Sequence, residues 1–258
     1  MQPSRGHPVS SRPVSGLFEA RNQVGRNTVG KENVAQPWFQ VAKVVALPPA
    51  WLWFRWRFEH LERIPERGPA LIACNHASYL DPIANAYAVV KAGRRPRFLA
   101  KDDLFDIPLV GRALAGAGQI PVSRGSGDRT PLARAERALA AGEAVVVYPE
   151  GTVTTRPDGL PMAGKTGTVR LALALRVPIT PMVSWGSAAV WQKSGPGSLK
   201  PGRPVWVSVG APIDLAADHD AILDFDAVRR MTADLMEVLT ALTIDLRDRY
   251  PKRWADAR

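Results

Sequence analysis

Four side chains able to bind or move a proton crowd into "NHASYLD": Asn75, His76, Ser78 and Asp81. The chain holds only four histidines in 258 residues, so one set beside a carboxylate needs a reason. Imidazole takes up and releases a proton near neutral pH. A carboxylate that holds one ring nitrogen leaves the other free to act as a general base. Ser78 lacks the Gly-x-Ser-x-Gly surroundings of an exposed nucleophile, so it reads as a hydrogen-bonding member of the group.

The flanks say how these residues are carried. Apolar "GPALIAC" (68–74) leads in and Pro82 follows Asp81. A residue before proline is biased away from helical geometry, and proline suits the first helical turn. The stretch predicts a strand ending at Cys74, a tight loop carrying His76, and a helix over 82–91 with Asp81 at a favoured N-cap position. Two readings stand here: Asp81 curls back to His76, or it only caps the helix. Spacing alone favours the cap.

Further along, strand and helix signals alternate. Strands are expected at 95–100, 118–123, 143–151, 177–186 and 204–210; "EAVVVYPEG" is the clearest, as a β-branched run suited to a buried strand. Helices are expected at 109–117, 131–141 (stopped by Gly142), 167–175 and 226–249, with a loop at 152–163. The alternation predicts a single α/β domain over 61–250, with a mostly parallel central sheet flanked by helices.

Composition narrows the partners. A net charge of +10 points to an anionic surface or ligand. The absence of zinc spacing, of an RRM-like aromatic signature and of a heptad basic region argues against nucleic acid, and His7, His60 and His219 have no companions suggesting a metal. The single Cys74 allows no internal disulfide and suits a reducing compartment. Residues 1–36 read as a disordered basic tail without a cleavable signal. Residues 37–60 read as an amphipathic helical segment either side of Pro48-Pro49, too broken to span a bilayer. Trp51, Trp53, Phe54, Trp56 and Phe58 interleave there with Arg55 and Arg57, a mixture suited to a lipid headgroup layer. The expected location is the cytoplasmic face of the cell membrane, peripheral or monotopic, against an anionic surface.

"NHASYLDP" resembles the Asn-His-x-Ser-x-x-Asp block of the glycerolipid acyltransferases, the 1-acyl-glycerol-3-phosphate acyltransferase family. Three more blocks follow in order: "AKDDLFDIPLVGRALAGAGQIPVSR", ending in Gly118, Ile120 and Arg124; "VVVYPEGT", with Glu150, Gly151 and Thr152; and "VPITPMV", with Pro178 and Pro181. The resemblance implies transfer of an acyl group from a thioester, acyl-CoA or acyl-carrier protein, to the hydroxyl of a lysophospholipid acceptor, lysophosphatidate first. No other cofactor and no metal is implied. His76 would deprotonate the acceptor and Asp81 would support the imidazolium, with Asn75 and Ser78 of the same block among the substrate-binding residues. Arg124 and Lys101 would grip the acceptor phosphate, while Glu150, Gly151 and Thr152 would line its pocket. The family's third block commonly continues Arg-Ser after Thr152, whereas this chain has Val153-Thr154. That departure puts the acceptor in question more than the reaction, and Arg156 or Lys165 could substitute.

"GLPMAGKT" (159–166) formally matches a P-loop, yet no strand leads into it and Pro161 removes a backbone donor. Lys165 is expected instead to face the acceptor phosphate or the membrane. Other readings are the same chemistry on another lysophospholipid or a glycolipid, and a non-catalytic lipid-binding module. Trp185 and Trp191, flanking "GSAAV", read equally as core and as groove lining.

Overall fold

The computed structural model of the protein describes residues 52–123 and 130–255. In chain order the strands are β1 (Phe54–Glu59), β2 (Ala70–Cys74), β3 (Pro96–Lys101), β4 (Ile120–Val122), β5 (Ala144–Val147), β6 (Ile179–Trp185), β7 (Trp191–Gln192), β8 (Gly195–Pro196) and β9 (Arg203–Val209). The helices are α1 (Asp81–Lys91), α2 (Val110–Gly116), α3 (Thr130–Ala140), α4 (Gly167–Leu175), α5 (Phe225–Asp248) and the short α6 (Lys252–Ala255). Seven strands form one sheet in the order β1-β9-β6-β2-β5-β3-β4. Pairing is parallel throughout except between β6 and β9.

Apolar runs lie at the middle of the sheet because both faces there are covered. Every residue of β2 and β5 is buried. Successive side chains point to opposite faces: Leu71 and Ala73 join a core with Leu139 of α3, Leu173 of α4 and Leu239 of α5, whereas Ile72 and Cys74 pack with Ala84, Ala88 and Val89 of α1. The Asp224 carboxylate caps α5 by accepting from Asp226 and Ala227 N–H. Inside that helix, Thr232 and Thr243 return their hydroxyls to Val228 and Leu239 carbonyls, which satisfies polar groups on a buried face.

The expected mostly parallel sheet flanked by helices is what the chain forms. Residues 1–51, which include the expected tail and the first part of the aromatic segment, lie outside the described residues. The helical expectation for 37–60 fails at 54–59, where β1 pairs residue for residue with β9. The reason is a period of two. Phe54, Trp56 and Phe58 alternate with Arg55, Arg57 and Glu59, the pattern of a strand with two different faces. Trp56 stacks on Phe58 (5°), and both meet the Tyr87 ring of α1 edge-on. These rings are committed to packing. A second difference is at β5, which ends four residues early because the Gly151 N–H turns back to the Tyr148 carbonyl (2.9 Å) with Gly151 at φ +71°. Among the described residues, no helix is long and apolar enough to cross a membrane.

Candidate active site

The carboxyl ends of β2, β5 and β6 lie side by side, the place where open α/β sheets hold ligands. Immediately after β2, the Asn75 side chain extends the pairing to β6: its amide donates to the Ser184 carbonyl (3.1 Å) and its oxygen accepts the Ser184 N–H (2.8 Å). His76 is then clamped on both sides of its peptide. Its N–H donates to Glu150 Oε1 (2.8 Å), and its carbonyl accepts the Thr154 N–H (2.7 Å). The backbone under the imidazole is therefore tied to the loops after β5.

The ring itself lies with Nδ1 3.3 Å from Asp81 Oδ2 and keeps 12% of the side chain exposed. With Nδ1–H facing Asp81, the lone pair of a neutral ring is on Nε2, an assignment that follows from the hydrogen-bond network. Tyr148 stacks beneath the ring at 4.1 Å, and its hydroxyl accepts from Asn85 Nδ2 (3.1 Å). Burial, with the nearby Cys74 and Asp81 charges adding to it, holds the Tyr148 phenol well above its ordinary range.

Asp81 is fully buried and fully engaged. Oδ1 accepts from Ser184 Oγ (3.0 Å) and Ser187 Oγ (2.6 Å), while Oδ2 accepts from Ser78 N–H (2.7 Å) as well as facing His76. Four donors match the lone-pair capacity of one carboxylate. The expected N-cap is not what Asp81 does: it is the first residue of α1, Leu80 is the cap residue, and no side-chain capping bond forms. Ser78 is buried, with Oγ set between the Trp191 (2.7 Å) and Ser187 (3.0 Å) carbonyls and accepting from Leu80 N–H. Its hydroxyl ties the loop to the backbone that follows β6.

Glu150 differs from the expectation that it lines a pocket. Its second oxygen accepts the Met162 N–H (2.9 Å), so both oxygens hold backbone. Desolvation pushes its carboxyl up to about 6, against the pull of those two bonds. Gly151 leaves room for the Lys165 chain, since a Cβ there would sit 3.0 Å from Cε and 3.1 Å from Nζ. Lys165 N–H donates to the Pro149 carbonyl (2.8 Å), and its side chain is exposed. Thr152 is half-buried, and Val153 beside it is 1% exposed, so this position faces the interior. Lys101 ends β3, two strands from β2, and pairs with Asp103 at the surface. Arg124 lies outside the described residues.

A family model described as Acyltransferase matches residues 55–185. The chain belongs to the acyltransferase family. This acyltransferase is 29% identical over 177 residues to a chloroplastic 1-acyl-sn-glycerol-3-phosphate acyltransferase of Arabidopsis thaliana, an overlap of 67% of this chain and 48% of the relative. It is 34% identical over 149 residues to an uncharacterized protein of Mycobacterium tuberculosis, covering 54% of this chain and 39% of that one. The chain thus spans about half the length, or less, of the curated relatives it matches. Its fold resembles the crystal structure of the 1-acyl-sn-glycerophosphate acyltransferase of Thermotoga maritima, with a TM-score of 0.59 at 23% identity over 84% of this chain and 80% of that one.

Several contacts of the candidate site have no counterpart among the sequence expectations: Tyr148 under the imidazole, Ser184 and Ser187 on Asp81, and the Trp191 carbonyl on Ser78. Tyr148 had a usable signal, as the first residue past a buried strand and two before Glu150. The serines had none, being more than a hundred residues from Asp81.

Proposed function

We propose that the protein transfers a fatty acyl group from a thioester to the free hydroxyl of lysophosphatidate, forming phosphatidate. The observation that carries this reading is the His76 imidazole, partly exposed on one side and 3.3 Å from a buried, fully hydrogen-bonded carboxylate on the other. Nε2 removes the hydroxyl proton as the acceptor oxygen attacks the thioester carbonyl. The tetrahedral intermediate collapses, the carbon–sulfur bond breaks, and the imidazolium returns the proton to the departing thiolate. Asp81 stabilises the imidazolium through Nδ1 and fixes the ring's orientation. No acyl-enzyme is required, in keeping with the buried and engaged Ser78 hydroxyl.

Arg124, Lys101 and Lys165 are the cations assigned to the acceptor phosphate, and the thioester is acyl-CoA or acyl-carrier protein. The printed names of the relatives support lysophosphatidate as acceptor. Attachment is to an anionic membrane face on the cytoplasmic side. It is supported by the net charge of +10 and by exposed Leu52, Trp53, Leu104, Ile107 and Leu109. The test is thiol release by purified protein with an acyl thioester and a panel of lysolipid acceptors. Turnover with lysophosphatidate is expected. Turnover only with another lysolipid would reassign the acceptor, and vesicle binding without any turnover would leave a lipid-binding module.

A further inference from the structure

Arg203 opens β9 with its side chain fully buried, and among the described residues Nε, Nη1 and Nη2 find no hydrogen-bond partner. Beside it, the indole Nε1 of Trp254 is also buried without a partner, and the ring lies 5.0 Å from the guanidinium carbon. Both groups only donate. A buried cation and a buried N–H left together lack an acceptor, and a buried charge without one is among the costliest arrangements in a folded chain. The Tyr250 hydroxyl gives its proton to the Pro204 carbonyl (2.7 Å), and its oxygen, which interacts with Arg203, is neutral and supplies no counter-charge.

Both residues line a cavity of about 540 Å³ whose wall also includes Ala77, the neighbour of His76, and Thr154, whose N–H donates to the His76 carbonyl. Gly186, also on the cavity wall, packs directly against the start of β9 and Tyr250, since a Cβ there would fall 2.4 Å from the Pro204 oxygen and 2.7 Å from the Tyr250 hydroxyl. Of the charges on the cavity wall, Arg156 and Asp158 pair with each other, which leaves Lys193 and Arg203 unmatched. Trp254 also lines a second cavity, of about 410 Å³, together with Arg55, Lys200 and Arg253.

The register sets how far this site is from the chemistry. Cys74 pairs with Met182, and Trp185 with Trp206. Extending those registers at about 3.3 Å per residue and about 4.8 Å per strand puts the Arg203 backbone roughly 15 Å from that of His76. The phosphate of a lysophosphatidate is only a few bonds from its reacting hydroxyl and does not reach. A phosphopantetheine arm does: it is built of peptide-like units, and four or five residue-lengths between thioester and phosphate span roughly 15 Å.

We propose that Arg203 and the Trp254 indole N–H form the binding site for the phosphate of the donor's phosphopantetheine arm, which lies in the cavity with its thioester at His76. Trp254 covers the guanidinium in the unliganded protein and shifts to admit the phosphate, and the outer cations receive whatever acidic body carries the arm. This assignment rests on the acyl-transfer reading for its ligand.

The test uses the full chain and two probes, 4′-phosphopantetheine and pantetheine, as competitors in a binding assay that needs no turnover. Wild-type protein is expected to prefer the phosphorylated probe at least tenfold. Arg203→Met should abolish that preference without lowering the melting temperature, and Trp254→Phe, which keeps the ring and removes the N–H, should weaken it several-fold. In steady state, Arg203→Met should raise KM tenfold or more for acyl-CoA, for acyl-carrier protein, or for both, which identifies the donor, with KM for the acceptor unchanged. Equal binding of the two probes by wild type, a preference that survives Arg203→Met, or a KM effect on the acceptor alone overturns the assignment. Phosphate-dependent binding in a protein without acyltransfer would retire the function and keep the site; turnover without probe discrimination would do the reverse.

Discussion

Two buried charges, at the same end of the sheet, are treated in opposite ways. Asp81 receives four donors: from Ser184, Ser187, the Ser78 backbone and His76. Arg203 has no carboxylate partner among the described residues, only the neutral Tyr250 hydroxyl beside it. On the proposed function, the difference separates a preorganised catalytic group from a binding group that is completed by its ligand. A carboxylate that must hold an imidazole in one orientation gains from having every lone pair occupied before substrate arrives. A guanidinium meant for an incoming phosphate must keep its donors free, and the protein carries the cost until the ligand is bound.

The contrast can be broken most forcefully at the imidazole. His76→Ala is expected to lower kcat by about a thousandfold, within the range for a lost general base, with an unchanged circular dichroism spectrum. Asp81→Asn follows at roughly a hundredfold. It should also lose about 1–3 kcal/mol in denaturant unfolding, because an amide nitrogen facing those donors leaves at least one unsatisfied. Arg203→Met behaves in the opposite sense, with a tenfold rise in donor KM and no loss of stability. Ser187→Ala removes one of Asp81's four bonds and is expected to reduce kcat about threefold to tenfold with KM unchanged, the equivalent of about 1 kcal/mol.

The smallest effect concerns Glu150. Its carboxyl lies at about 6 in the fold against 4.5 as a free side chain, so the folded protein holds this proton more tightly than the unfolded chain. Its contribution to stability is complete below pH 4.5 and is lost as pH rises through 6, a change of about 2 kcal/mol. Comparing unfolding of wild type and Glu150→Gln across that interval isolates the slope, which the variant should lack.

How much of this was readable beforehand follows from how far apart the partners lie. Helices α4 and α5 matched their expected spans closely because their apolar periodicity is long and local. Strand β1 is ambiguous in sequence because aromatic and arginine residues in alternation suit both a lipid interface and a two-faced strand, and only the pairing with β9 decides between them. The hairpin of β7 and β8 has two residues per strand, too few to carry a period. His76 and Asp81 were legible because five residues and a proline confine them to one loop. Their reciprocal support by Ser184 and Ser187 was not, since it depends on β6 lying beside β2. Arg203 sits in "KPGRPV", which reads as an ordinary turn until the burial of its guanidinium is seen.

The central claim is that His76 and Asp81 act as one unit on one proton, and a double-mutant cycle on thioester turnover addresses it most directly. Once His76 is alanine, Asp81→Asn should cost less than a further twofold, because the carboxylate has no imidazolium left to stabilise. A second hundredfold loss in that background would show Asp81 acting on the reaction independently of the ring, and would contradict the mechanism.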